Sequence, residues 1–328
     1  SGAVRIWDGN GAVPPSGSFH PSFNWNPNVS PGVLDLARFP NFGAIGYDVT
    51  FYFSTTTRDL AIDGSSPTFL SDTLKRTYFL TDDAIIYGGA PTFSGVDLNI
   101  GDDLQLTGGS VYFEAGAFGG SDVEAGSVDV RGDLMQFSDT GTSLTTTGSA
   151  ILGLDAGLTT LRFQNSASGE IGGVLDVTGF ATPNARGYVV VQSGADLKTN
   201  DIDLGRGGAS GQLGSLQVTG GGSSITMIGA ATLDIGAALG SQGELLVESN
   251  GIFNTGAGDT TVHPSGDIEI NGGTLNLNGE LIVDGGQVEQ TSGSLNMPAN
   301  GQITIQNNGD VIYDDTYEFG VGGCKILR

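Results

Sequence analysis

Apolar and polar residues alternate along much of the chain in short runs, and glycine or asparagine punctuates them. Ile268-Glu269-Ile270-Asn271-Gly272-Gly273-Thr274-Leu275-Asn276-Leu277 alternates, turns at Asn-Gly-Gly and alternates again. The cadence recurs from Leu104 to Phe113, from Leu216 to Met227, from Leu281 to Val288 and from Ile303 to Ile312. Period-two alternation predicts strands, and Gly or Asn supplies the positive φ that sharp corners need. The expected chain is nearly all β.

Spacing says how those strands are arranged. Leu104, Val128, Leu152 and Leu175 stand 24, 24 and 23 residues apart, a period typical of solenoids. Asp203-Leu204-Gly205 is echoed 31 residues on by Asp234-Ile235-Gly236. These features predict a right-handed parallel β-solenoid, or β-helix, in which Leu, Ile and Val stack into an interior column. Asn-Gly between alternating runs is also a hairpin signal, so antiparallel β-sandwich domains are the alternative. Three segments are expected: an aromatic-rich N-terminal cap or β domain over 1–100, solenoid repeats over 101–312 and a tail over 313–328. The first holds 15 of the 26 aromatic residues, including Trp7, Trp25, Phe51, Tyr52, Phe53, Tyr78 and Phe79. A cap suits a solenoid, whose open end is an unpaired β edge.

Composition narrows the function classes. Gly makes up 56 of 328 residues, with no three-residue period, which excludes a collagen helix. The formal charge of −24 argues against nucleic acid and anionic lipid, both of which require a basic surface. No apolar run approaches the roughly 18 residues of a membrane span, so no membrane insertion is expected. The sequence opens at Ser1, consistent with a removed export signal or a cleaved tag. A single cysteine, Cys324, permits no internal disulfide and offers a pairing thiol between subunits.

Trp7-Asp8-Gly9-Asn10-Gly11, Asn24-Trp25-Asn26-Pro27, Pro31-Gly32 and Asp35-Leu36-Ala37-Arg38-Phe39 resemble the opening of repeat-rich secreted bacterial β-solenoid surface proteins. Autotransporter passengers and exoprotein-sorted proteins are of this kind, and the later strand-Gly-Gly-strand units resemble their passenger repeats. The resemblance implies an extracellular or cell-surface location and a role in adhesion, coats or fibres. The chain departs from that pattern in having no C-terminal barrel, sorting tail or dockerin-like calcium repeat.

Candidate chemistry is sparse. A lyase needs a cationic base or clamp, yet Lys is confined to Lys75, Lys198 and Lys325, and Gly207 to Cys324 holds neither Lys nor Arg. An inverting hydrolase needs paired carboxylates, for which Asp201 and Asp203 beside Arg206 are the nearest match. Asp8-Gly9-Asn10-Gly11 imitates a calcium loop, but no Glu closes it. The adjacent pairs Asp82-Asp83, Asp102-Asp103 and Asp314-Asp315 suit a hard cation, so calcium is the candidate ion and no other cofactor is expected. His20 and His263 have no second ligand at zinc spacing.

The expected function is that of a non-enzymatic, self-associating surface-layer, fibre or adhesin subunit. Its partners would be other copies of the chain, joined head to tail, or surface glycans. Ala3, Val4, Ile6 and Trp7 would pair with the last coil, Ile303, Ile305, Val311 and Ile312, of a neighbour, with Cys324 as a possible link. The alternative is a carbohydrate-active or carbohydrate-binding β-helix, as in a polysaccharide hydrolase or a phage-like spike.

Overall fold

A computed structural model describes residues 2–9, 17–42, 46–180, 182–313 and 325–327. The chain forms two compact units, Ser1–Gly148 with Ser166–Ser168, and Ser149–Asn165 with Gly169–Arg328. Each is a β-solenoid. Strands of one coil pair in parallel with those of the next, which decides against the antiparallel sandwich. Among the described residues the one antiparallel strand pair is Val4–Trp7 against Trp25–Asn26.

In the first unit a coil consists of three strands. Asp59–Asp63, Ser66–Ser71 and Arg76–Leu80 complete one turn, and Ala84–Gly88 then lies on Asp59–Asp63 with Ala84 beside Leu60. Alternation turns every second side chain inward. Phe69, Phe93, Phe113 and Phe137 thereby occupy one register column and stack face to face, with centroids 4.5, 5.2 and 4.7 Å apart and planes within 15°. All four are fully buried. At the N-terminal end Trp7, Phe19, Trp25, Phe39 and Phe51 form an edge-on cluster, and the Trp25 indole N–H donates to the Phe19 carbonyl at 2.7 Å. The parallel ladder already runs from Leu36–Phe39 onto Asp59–Asp63, so the aromatic stretch consists of the same coils that follow it. The physical boundary between compact units falls at 148/149, not at residue 100.

In the second unit the interior column is aliphatic. Leu161, Val189, Leu216, Leu245, Ile268 and Val288 follow one another in register and are buried. Burial of each contributes about 1.5–3 kcal/mol. Ile202 pairs with Leu233 and Asp203 with Asp234, so the 31-residue echo is one coil. The shorter spacing slips once: Leu175 lies beside Ala150, and it is Val177 that meets Leu152. The coil there is two residues longer than the leucine spacing suggests, because strand Gly157–Gln164 is eight residues long. Asn271-Gly272-Gly273 makes a corner without breaking the strand Gly266–Asn276: its first part pairs with Ser241–Glu248 and its last three residues with Ile252–Asn254.

Polar side chains are laddered as well. The Asn296 Nδ2 donates to Asn276 Oδ1 at 2.8 Å, and Asn276 Nδ2 to Asn254 Oδ1 at 2.7 Å. Each rung therefore satisfies the amide of the next. No helix among the described residues is long and apolar enough to cross a membrane.

Candidate functional site

Two constellations in the second unit gather chemistry from distant parts of the sequence. The first is the outward face of the long strands Gly157–Gln164, Ala185–Gln192, Gln212–Thr219, Ser241–Glu248 and Gly266–Asn276. Three recesses of about 370, 420 and 350 Å³ succeed one another along it. Leu158, Thr160, Arg162, Arg186, Tyr188 and Val190 line the first. Arg186 also borders the second, which adds Gln212, Ser241 and Gln242. Gln242 leads into the third, which ends on Glu244 and Asp267. Burial raises the Asp267 carboxyl above its usual range, and the charges of Glu244, Glu269 and Glu289 add to that. Glu269 is raised by burial and then by Glu248 and Glu289. This face runs from a cationic, aromatic end to an acidic one.

The second constellation is a carboxylate column. Asp176, Asp203 and Asp234 occupy one register position on three successive coils. Arg206 follows Asp203 by three residues, and its guanidinium reaches Asp203 Oδ2 at 2.7 Å and Asp176 Oδ2 at 3.4 Å. His263 Nε2 lies 3.3 Å from Asp234 Oδ1. Asp176 is only 6% exposed, and its Oδ1 has no partner of hydrogen-bonding geometry. Burial pushes this carboxyl up to about 6; Arg206 opposes the shift and Asp203 reinforces it. Asp203 is raised by burial too, against the pull of Arg206. Gly179 fits the column because a Cβ there would stand 2.0 Å from the Asp176 oxygens.

Asp201 does not join Asp203. Its Oδ1 accepts the Thr232 N–H at 2.7 Å and the Thr232 hydroxyl at 3.3 Å, tying one coil to the next. Asp203 pairs instead with Asp176 and Asp234. The 31-residue echo carried the signal for Asp234. Asp176 escaped it because Thr178, at φ 63°, replaces the glycine of the repeat.

In the first unit Asp82, Asp83 and Asp102 bring carboxylate oxygens within 4.8 Å of one another. Asp103 is turned away: its Oδ1 accepts the Ser127 hydroxyl at 2.6 Å, while Asp83 Oδ1 accepts the Asp103 N–H at 3.1 Å. Burial raises Asp83, and Asp82, Asp103 and Asp102 add to it. Asp314 and Asp315 lie outside the described residues, as do Cys324 and the Asn10 and Gly11 of the calcium-like turn.

The residues expected at a head-to-tail contact are dispersed in their roles. Trp7 is fully buried in the aromatic cluster and cannot meet a neighbour, a correction that follows from its inward register. Val4 and Ile6 are exposed, but their strand already pairs with Leu36–Phe39 on one side and, through Ile6 and Trp7, with Trp25–Asn26 on the other. The Ala3 N–H donates to Asp35 Oδ1 at 2.8 Å. Ile303 is interior, and its strand Gln302–Gln306 is paired by the chain's own Lys325–Leu327. Ile305 and Val311 are half-buried and Ile312 is exposed. Phe51 and Tyr78 are core residues, whereas Tyr52, Phe53 and Phe79 point outward. His20 packs against Phe19 and Phe53, and burial lowers its pKa, with the Arg76 charge acting in the same sense.

The chain matches no family model, no curated protein and no solved structure.

Proposed function

We propose that the chain is a non-catalytic extracellular contact protein, an adhesin-type β-solenoid whose long-strand face binds surface glycans. The observation that carries this reading is the run of three shallow recesses along five in-register strands, lined by Tyr188, Arg162, Arg186, Gln212 and Gln242. Flat rows of aromatic and amide side chains suit the alternating apolar faces and hydroxyl rims of sugars. A rigid scaffold favours such binding, since little ordering entropy is lost on contact. Of the surface-layer, fibre and adhesin roles, the adhesin has the most support, because both strand edges expected to polymerise are paired within the chain. A glycan array read against purified chain tests it: retention of glycans is expected, and binding to none across neutral and charged classes overturns it.

The carboxylate column supports a second reading, glycoside hydrolysis, with Asp176 as acid and Asp203 as base. What favours it is the raised pKa of Asp176. Against it, Arg206 bonds both groups and each is more than nine-tenths buried, which suits an internal ion pair better than a substrate cleft. Release of reducing ends from a polysaccharide panel, lost in Asp176→Asn, would establish hydrolysis.

Calcium belongs to the proposal only at Asp82, Asp83 and Asp102, where three oxygens converge as a hard cation requires.

A further inference from the structure

Most cations of the described chain are neutralised in place. Arg5, Arg38, Arg58, Lys75, Arg76, Arg131 and Arg206 each hold an aspartate within 3.5 Å. Arg162 and Arg186 do not, although the chain carries 36 acids against 12 Lys and Arg. Among the described residues neither forms an ion pair, and the Arg162 Nε is buried without a hydrogen-bond partner. Both line the same recess, of about 370 Å³. They stand on neighbouring strands, Arg162 beside Val190 and Arg186 beside Leu158, and Tyr188 lies between them in register, beside Thr160. Adjacent strands are about 4.8 Å apart and same-face neighbours on one strand about 7 Å, so the three side chains converge over a patch the width of a sugar ring.

We infer that this recess binds the carboxylate-bearing ring of a uronate-containing glycan. The guanidinium fork matches a planar carboxylate in two parallel hydrogen bonds, and an unpaired, partly desolvated arginine has the most to gain from one. Tyr188, flanked by Leu158 and Val190, offers the apolar surface on which a pyranose face rests. Nucleic acid is a poor fit, since it needs many phosphate contacts and the recess supplies two cations. Next along the face, Gln212, Ser241 and Gln242 supply neutral donors and acceptors for hydroxyl groups. Glu244 and Asp267 then place negative charge where a second carboxylate would be repelled. The face therefore selects polarity along the glycan: a uronate at the Arg162 end, neutral sugars beyond it. The inference rests on the contact reading of this face and adds the ligand class.

The test is calorimetric titration of the full chain with trigalacturonate, with neutral maltotriose and with a sulfated trisaccharide, at about 0.15 M salt, where the chain's acidic field is screened beyond about 8 Å. Trigalacturonate is expected to bind at least tenfold more tightly than maltotriose. Arg162→Gln and Arg186→Gln should each weaken it roughly tenfold or more, as loss of a charge-assisted hydrogen bond does. Arg186 is exposed, so Arg186→Gln remains informative should Arg162→Gln fail to fold. Equal binding of the neutral sugar, preference for the sulfated one, or undiminished affinity in folded arginine variants overturns the inference. A chain that holds maltotriose but not trigalacturonate overturns it and leaves the contact reading standing. A chain that binds trigalacturonate through the arginines and shortens it keeps the inference and removes the contact reading.

Discussion

Phe113 sits in the middle of the phenylalanine column, fully buried and stacked on Phe93 at 5.2 Å and Phe137 at 4.7 Å. Truncation to alanine removes a side chain that hides about 150–250 Å² from water, which at about 25 cal/mol per Å² corresponds to roughly 4–6 kcal/mol. The alanine methyl and partial collapse of the coil return some of this, so Phe113→Ala should destabilise the chain by about 3–5 kcal/mol. Phe113→Leu, which refills most of the volume but cannot stack, should cost less than half as much. Phe118→Ala is the control: Phe118 is 43% exposed, and its loss should stay within about 0.5 kcal/mol. Guanidinium unfolding followed by far-UV circular dichroism gives the three values, with the slopes compared because coil arrays do not always unfold in a single step. A Phe113→Ala midpoint within about 1 kcal/mol of the parent would show that the column does not hold the coils together.

Three further outcomes are expected. The folded state binds the Asp176 proton more tightly than the unfolded chain does, since the carboxyl is raised from 3.8 to about 6. Its burial therefore costs nothing below about pH 4, and the penalty grows as pH rises through 4 to 6. Asp176→Asn should gain on the parent by up to about 3 kcal/mol between pH 4 and 7, and a flat difference in unfolding midpoint contradicts the burial argument. Gly236 has φ 68° and a Cβ there would meet Gly266 N at 2.2 Å, so Gly236→Ala should lower the melting temperature by several degrees. Gly221 has open space around it, and Gly221→Ala should leave melting unchanged or raise it slightly. Millimolar calcium should raise the melting temperature of the parent and leave the Asp82→Asn, Asp102→Asn double variant unmoved; equal shifts in both would remove calcium from that cluster.

The fold was legible because its information is local. Alternation in runs such as Ile268 to Leu277 fixes which side chains face inward, and the 31-residue echo around Asp203 and Asp234 fixes one coil directly. Coil length was less legible where an eight-residue strand such as Gly157–Gln164 lengthens the turn, which displaced Leu175 from Leu152 to Ala150. The aromatic first hundred residues read as a separate cap, since phenylalanine in place of leucine conceals the same inward register. Site chemistry was the least legible. Arg162 and Tyr188 are 26 residues apart and carry no local motif; only the pairing of Thr160 with Tyr188 brings them together. Asp201 and Asp203 looked paired because they alternate, yet Asp201 is engaged by Thr232 on the next coil while Asp203 finds its partners above and below.

The central claim is that the long-strand face holds glycans without cutting them. Incubating the chain for a day with a soluble uronate-containing polysaccharide, and reading bound fraction and polymer length from one size-exclusion run with light scattering, tests it most directly. Co-elution of chain and polymer at undiminished polymer length is the expected result. Progressive shortening that disappears in Asp176→Asn would contradict the claim.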